Sequence, residues 1–339
     1  MLLSEIAYEG FIDDKLFFKT QELVDKIKLF FSRNLNASQD LNGEAVLNAI
    51  AIQQGILVER LDNIYSFSHL TLQEYLTAKY IVDNQLIAKT VNDYLTDKRW
   101  KEIFILIAGL MEGKTGADKL LLCMENKALS YVNSLPDNHR FIKLLEWAET
   151  KTKNSPAQLT SVAKRVVAIA YANANAYAYN KADVYAYVNA YSYLNANTYA
   201  KAYPYVNAYV NAYAYAYINA YTYAIRKFIE CIDNIEVALP LFSGVNLQKM
   251  REQLEKMRTK MPDDEQPKEV YRQFTKQLLE TWLTAFDLTL DMINLSLEEL
   301  EELDQQYFYV YNLMLQCKDA AELITNETWE AIEERMYRV

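Results

Sequence analysis

The middle of this chain of 339 residues contains no glycine between Gly116 and Gly244. Tight turns most often need glycine, because it adopts positive φ without steric cost. A long stretch without glycine therefore disfavours a domain of many short strands joined by such turns. We predict a mainly α fold, and the chain length suggests two or three folded units rather than one core.

Within that stretch, residues 171–224 alternate strictly between two residue classes. The odd positions hold Tyr, Asn, Lys or Asp, and the even positions are mostly Ala with other small or aliphatic residues. A period of two normally indicates a strand, and tyrosine favours strands. However, alanine is the best helix former and turn residues are scarce, since Pro204 stands alone. We therefore predict that residues 171–224 are helical, with a stacked β arrangement as the alternative.

The N-terminal residues have the parts of a small winged-helix domain. The amphipathic sequence GEAVLNAIAIQQG, at 43–55, predicts a helix that Gly55 terminates. The next sequence, ILVERLDNIYSFS at 56–68, predicts two short strands around Asp62 and Asn63. A winged-helix-like unit followed by a helical array is the predicted architecture.

The rest of the chain predicts helices and further boundaries. A helix pair is split at residues 113–116, another helix surrounds Trp147, and Ser296 has the capping-box spacing to Glu299. We divide the chain into a winged-helix-like domain, a helical linker, the alternating segment and an acidic C-terminal helical domain, which span 1–88, 89–155, 156–228 and 229–339.

Composition excludes several classes of protein. Residues 229–339 hold 23 acidic and 11 basic residues, a balance of −12, against −10 for the whole chain. Such a charge repels nucleic acid. Two histidines and three scattered cysteines, Cys123, Cys231 and Cys317, predict neither a metal site nor a disulfide framework. No run of about 18 apolar residues predicts a membrane span. We expect a cytoplasmic protein.

The sequence Gly113-Lys114-Thr115 has a partial likeness to a phosphate-binding loop. That loop needs four residues between its first glycine and the Gly-Lys pair, and it follows a strand. Here Gly109 leaves three residues, and the preceding segment predicts a helix. We interpret the sequence as an interhelical turn, and we predict no catalytic residues in this chain.

His69 lies where the predicted hairpin meets a helix, in FSHLTLQEYLTAKYIV at 67–82. This sequence resembles the F-x-H-x-x-x-Q-E-Y-x-x-A motif that ends the winged helix of NACHT NTPases, the NLR-like branch of the STAND ATPases. The preceding IQQGILVERLDNIY is similar to cyanobacterial members. WKEIFILIAGLMEGKTGADKLL resembles the helices that follow there, and the last 110 residues resemble an appended C-terminal helical domain.

The resemblance implies a role for His69 and a set of partners. In that family the histidine of the motif contacts the β-phosphate of ADP and holds the inactive state closed. Phe67, Gln73 and Glu74 would hold the winged helix to its neighbour. ATP or ADP with Mg²⁺ is expected only on an ATPase portion, supplied upstream in cis or by another chain in trans. An unknown protein trigger, homo-oligomerisation on activation and anti-phage signalling are further implications.

A different class of function remains open on the residues alone. The chain could be a free-standing interaction protein that binds partners through its tyrosine-rich segment, since tyrosine combines a large apolar face with a hydroxyl. The other histidine, His139, lies in a predicted turn, where we expect an exposed side chain without a role.

Overall fold

The structure is a computed structural model that describes residues 1–35, 42–157, 159–180, 242–263, 266–293 and 295–339. The chain divides into two units. Unit 1 comprises Met1–Met124 and Leu313–Thr325, and unit 2 comprises Glu125–Asn312 and Asn326–Val339. Among the described residues, no helix combines the length and the apolar character needed to cross a membrane.

Unit 1 begins with a winged-helix arrangement. Its sheet has three antiparallel strands, and the third along the chain lies between the first and the second. The elements are α1 (Leu2–Ile12), β1 (Phe18–Lys19), α2 (Thr20–Leu35), α3 (Gly43–Ala49), β2 (Leu57–Leu61), β3 (Ile64–Phe67), α4 (Leu70–Asp83), α5 (Ile87–Tyr94) and α6 (Lys101–Leu110), and α7 (Asp118–Ser134) begins in this unit.

Local sequence signals set the boundaries of α3 and of the hairpin. The Asn42 side chain accepts a hydrogen bond from the Ala45 N–H at 3.0 Å and so caps α3. A π-helical turn, Ile50–Gln54, extends α3 to Gly55, whose φ of 61° stops it. In the hairpin, Asn63 adopts a φ of 63°, which asparagine tolerates better than most residues. The predicted helix and hairpin are confirmed.

The winged helix is held together by a core between its sheet and helices. Phe18 on β1 meets Phe67 on β3 edge to face, with ring centroids 6.0 Å apart. The buried core also includes Ile6, Leu23, Ile27, Leu47 and Leu57. Because the strands are only two to five residues long, this apolar packing rather than the strand pairing supplies most of the stability.

The predicted interhelical turn between α6 and α7 is also confirmed. Gly113 and Gly116 adopt φ values of 97° and 46°. The Ala117 N–H donates to the Leu323 carbonyl at 3.0 Å. The Asp118 carboxylate accepts from the Thr325 N–H at 2.9 Å and from its hydroxyl at 2.6 Å. The turn thus binds the loop at 321–325 and has a structural role.

The described part of unit 2 is helical. It contains the second half of α7, α8 (Arg140–Thr152), α9 (Ser161–Asn180), α10 (Leu247–Arg258), α11 (Lys268–Ala285), α12 (Leu290–Ile293), α13 (Leu297–Leu303), the start of α14 (Tyr309–Ala320) and α15 (Asn326–Arg335). The predicted capping box begins α13: the Ser296 N–H donates to Glu299, and the Glu299 N–H donates to the Ser296 hydroxyl, at 2.6 and 3.2 Å.

The alternating segment is described only at its beginning. Its first ten residues, 171–180, belong to α9, which agrees with the predicted helix. Residues 181–224 lie outside the described residues, as does Cys231. The prediction for them therefore stays a prediction.

The close contact at Gly116 gives a test of the turn. A Cβ atom at Gly116 would lie 1.9 Å from the Leu323 carbonyl oxygen, whereas a Cβ at Gly55 would meet nothing within 4 Å. Both glycines have positive φ, so Gly55→Ala should cost only about 1–2 kcal/mol for the left-handed backbone. Gly116→Ala should cost about 1–3 kcal/mol more, because the loop must move.

Urea unfolding of the two variants, followed by circular dichroism, measures this difference. Equal losses of stability would show that the contact between Gly116 and Leu323 does not constrain the turn.

Candidate functional site

His69 is the residue that precedes α4, at the point where β3 has ended. Its backbone is extended, with φ −137° and ψ 146°, and its side chain makes no capping hydrogen bond. Its carbonyl accepts from the N–H groups of Leu72 and Gln73, at 3.1 and 3.4 Å. The side chain is exposed. The backbone of His69 is therefore engaged in the helix start, while the imidazole remains available to a partner outside the unit.

The chain on either side of His69 is fixed by buried contacts. Phe67 is buried against Phe18. The Ser68 N–H donates to the Ile56 carbonyl at 2.8 Å, and the guanidinium of Arg60 donates to the Ser68 carbonyl at 3.1 Å. A second donor of Arg60 reaches the Ser66 hydroxyl at 2.9 Å. These bonds hold the base of the His69 side chain in one place, which reduces the entropy lost when the imidazole binds.

Gln73 and Glu74, the other polar residues of the motif, lie in different surroundings. Gln73 is buried, and its amide donates to the Lys15 carbonyl at 3.3 Å, so it ties α4 to the loop before β1. Glu74 is partly buried, and this burial raises the pKa of its carboxyl, as does the nearby Glu102 on α6. Phe67 therefore acts by packing and Gln73 by a hydrogen bond, whereas Glu74 faces another carboxylate.

Exposed apolar side chains occur beside His69. Leu70 follows it directly and is 52% exposed. Leu16 and Phe17, which follow the carbonyl held by Gln73, are 49% and 58% exposed. Since Gln73 lies in the first turn of α4, these residues lie at the same end of that helix as His69. We call His69, Leu70, Leu16 and Phe17 the His69 surface.

His139 does not match its sequence prediction. It is only partly exposed, and its Nδ1 accepts from the Phe141 N–H at 3.2 Å, so it caps α8. Its Nε2 lies 3.6 Å from a Glu299 carboxylate oxygen. The expectation of an exposed side chain without a role was wrong, because a histidine before a helix can cap it as asparagine does.

Sequence reasoning missed a group of buried charges in unit 2. Arg165 on α9 is 2% exposed, and Glu125 on α7 is 1% exposed. The Arg165 guanidinium donates to Glu149 at 3.3 Å, and Arg335 donates to both oxygens of Glu125, at 2.9 and 2.7 Å. Burial lowers the pKa of Arg165, and Glu149 opposes that shift. The sequence gives no clear signal, because Lys164 lies next to Arg165 and Lys127 lies two residues after Glu125, as in a solvated helix face.

Two family models match the chain. The model for the winged helix-turn-helix domain C-terminal to NACHT matches residues 18–81, and the model for the NACHT C-terminal helical domain 2 matches residues 250–339. The chain is a NACHT C-terminal part. The first match contains His69 and the three strands, and the second contains α11–α15. No curated protein and no solved structure shows a significant match.

The geometry separates a structural residue of the winged helix from an exposed one. His69→Ala should change the free energy of unfolding by less than about 0.5 kcal/mol, because the imidazole is exposed and makes no capping bond. Phe67→Ala should cost about 3–5 kcal/mol through the cavity that it leaves. Thermal and urea unfolding of both variants would test this. A large loss for His69→Ala would mean that the imidazole supports the fold.

Proposed function

We propose that this NACHT C-terminal part is the regulatory and sensing portion of a NACHT-type signalling ATPase, and that His69 binds the nucleotide held by the ATPase portion. The observation that carries the proposal is an exposed imidazole on a fixed backbone in the winged helix that follows NACHT. The ATPase portion would be supplied in cis or in trans. The chain itself would contribute no catalytic residue.

The chemistry of His69 suits contact with a phosphate. An imidazole N–H donates a charge-assisted hydrogen bond to an anionic oxygen, and its strength increases where water is excluded. The apolar side chains of the His69 surface would exclude water once the ATPase portion covers them. ADP with Mg²⁺ would supply the negatively charged β-phosphate, and His69 would hold its proton toward that oxygen. Gln73 and Phe67 would keep α4 and β3 in position.

Regulation would follow from a difference in affinity between two states. If His69 contacts the nucleotide only in the closed state, ADP stabilises that state by the free energy of the contact. A trigger that binds the C-terminal helical domain better in the open state would oppose it. Opening would then favour association of several copies. We propose bacterial conflict signalling in the cytoplasm, including defence against phage, as the setting.

The Gly113-Lys114-Thr115 turn supports a non-catalytic role for this chain. It connects two helices, and the residues that follow it bind Leu323 and Thr325 through backbone and carboxylate groups. A phosphate-binding loop presents its N–H groups to the ligand. Here the Ala117 N–H is occupied by the Leu323 carbonyl, as the role of a structural turn requires.

Nucleotide binding tests the role of His69. Isothermal calorimetry would compare ADP binding to this chain alone and to the chain combined with its ATPase portion. We expect binding only to the combination, and we expect His69→Ala to weaken it by about 1.5–3 kcal/mol, the range for a hydrogen bond to a charged group.

The other histidine of the chain provides a matched control. His139 caps α8 in unit 2, so His139→Ala should leave ADP affinity unchanged. Equal affinities for wild type and His69→Ala, with both chains folded and associated with the ATPase portion, would contradict the proposal.

A further inference from the structure

The buried polar contacts of unit 2 connect two parts of the chain that lie on opposite sides of the alternating segment. We infer that residues 125–172 form the surface on which the unit 2 part of the C-terminal helical domain, residues 250–312 and 326–339, is assembled. We also infer that the two parts stay bound when the chain between them is cut. The partner of this surface is thus a distant segment of the same chain.

Arg165 provides the most directional of these contacts. Its guanidinium donates to the carbonyls of Glu333, Glu334 and Met336, each at 3.0 Å. These carbonyls lie at the C-terminal end of α15, where backbone acceptors lack partners within the helix. A cation there also interacts favourably with the negative end of the helix dipole. Arg165 therefore caps a helix that lies about 170 residues further along the chain.

Two further contacts connect the same parts. The carboxylate of Glu125 is buried and accepts two hydrogen bonds from Arg335. The indole N–H of Trp147 donates to the Phe286 carbonyl at 2.7 Å, and both groups are buried. Each contact satisfies a polar group that would be costly to leave unpaired. Separation of the two parts would expose all these groups together.

Charge complementarity reinforces the contact along α8. No lysine or arginine occurs between Lys276 and Lys318. Acidic residues of that stretch instead pair with basic residues of α8. Asp291 lies 3.3 Å from Arg140 and 3.5 Å from Lys143, and Asp287 pairs with Lys151. Part of the acidic charge of the C-terminal domain is thus neutralised by the preceding segment.

Both ends of the intervening stretch are anchored in unit 2. Val162, Val166 and Ala172 of α9 are buried. The chain returns at Phe242, which is buried against Trp147 and Phe286. The next residue, Ser243, donates from its N–H and its hydroxyl to the Lys151 carbonyl, at 2.7 and 3.1 Å. The stretch 173–241 is therefore an insertion into one unit rather than a linker between two domains.

Cleavage of the full chain tests the inference. A recognition sequence for a site-specific protease would be inserted after residue 205, and the cut chain would be analysed by size-exclusion chromatography at micromolar concentration. We expect the two pieces to elute together at the volume of the uncut chain and to separate only in denaturant. Separation or aggregation of the cut wild-type pieces in native buffer would overturn the inference.

A pair of arginine variants locates the contact within unit 2. The C-terminal piece also contains Leu313–Thr325 of unit 1, which could retain it for another reason. Arg165→Ala should raise the dissociation constant of the cut pieces by at least about 30-fold, because three carbonyls at the end of α15 lose this donor and Glu149 loses one of its two arginine partners. Arg258→Ala is the matched control, since Arg258 is exposed and, among the described residues, its ion pair is with Glu255 in its own helix.

Equal dissociation constants for the two variants would overturn the role of Arg165 in this surface. If Arg165→Ala does not fold before cleavage, Glu125→Gln in the cut chain provides the same comparison through the pairing with Arg335.

Discussion

A guanidinium with almost no exposure to water is stable only when its donors find acceptors, and Arg165 finds them in two places. Three acceptors are carbonyls at the end of α15, and the fourth is the Glu149 carboxylate. The other oxygen of Glu149 lies 3.1 Å from the Arg338 guanidinium. Because a buried unpaired charge is so unfavourable, separation of α15 from α8 and α9 would be costly.

In the winged helix of unit 1, buried contacts surround an exposed residue. The backbone around one exposed side chain, that of His69, is fixed there, and the side chain makes no capping hydrogen bond. Apolar packing of Phe67 and the hydrogen bonds of Arg60 and Ser68 fix the backbone, while the imidazole of His69 stays exposed. A residue held in this way can report the presence of a ligand, since binding costs little conformational entropy. Leu70 and Phe17 are exposed to water in this unit, and a second protein surface would be needed to bury them.

The structural features that could be predicted from the sequence are those set by residues close together in the chain. Gly55 after an amphipathic run, Asn63 in a hairpin and the pair Ser296 and Glu299 each act within a few positions, so their structures could be foreseen. His69 was singled out by its place at a strand–helix junction and by the resemblance of the surrounding motif to that of NACHT NTPases. Whether that residue binds a nucleotide is a property of an assembled complex, which no local pattern determines.

Contacts between distant residues could not be predicted in this way. Arg165 and Glu125 lie close to other charged residues, Lys164 and Lys127, and nothing in the sequence identifies for them a partner some 170 to 210 positions away. His139 lies in a sequence typical of a turn. Its bond from the Phe141 N–H could not be predicted, because it depends on the orientation of the side chain. In each case the residue type was visible, but the pairing depended on the tertiary fold.

The contact between Gly116 and Leu323 has a consequence for how this architecture can vary. Two loops from opposite ends of the chain touch backbone to backbone there, so a residue gained or lost in one loop would displace the other. The contact between Gly116 and Leu323 therefore constrains the lengths of both loops.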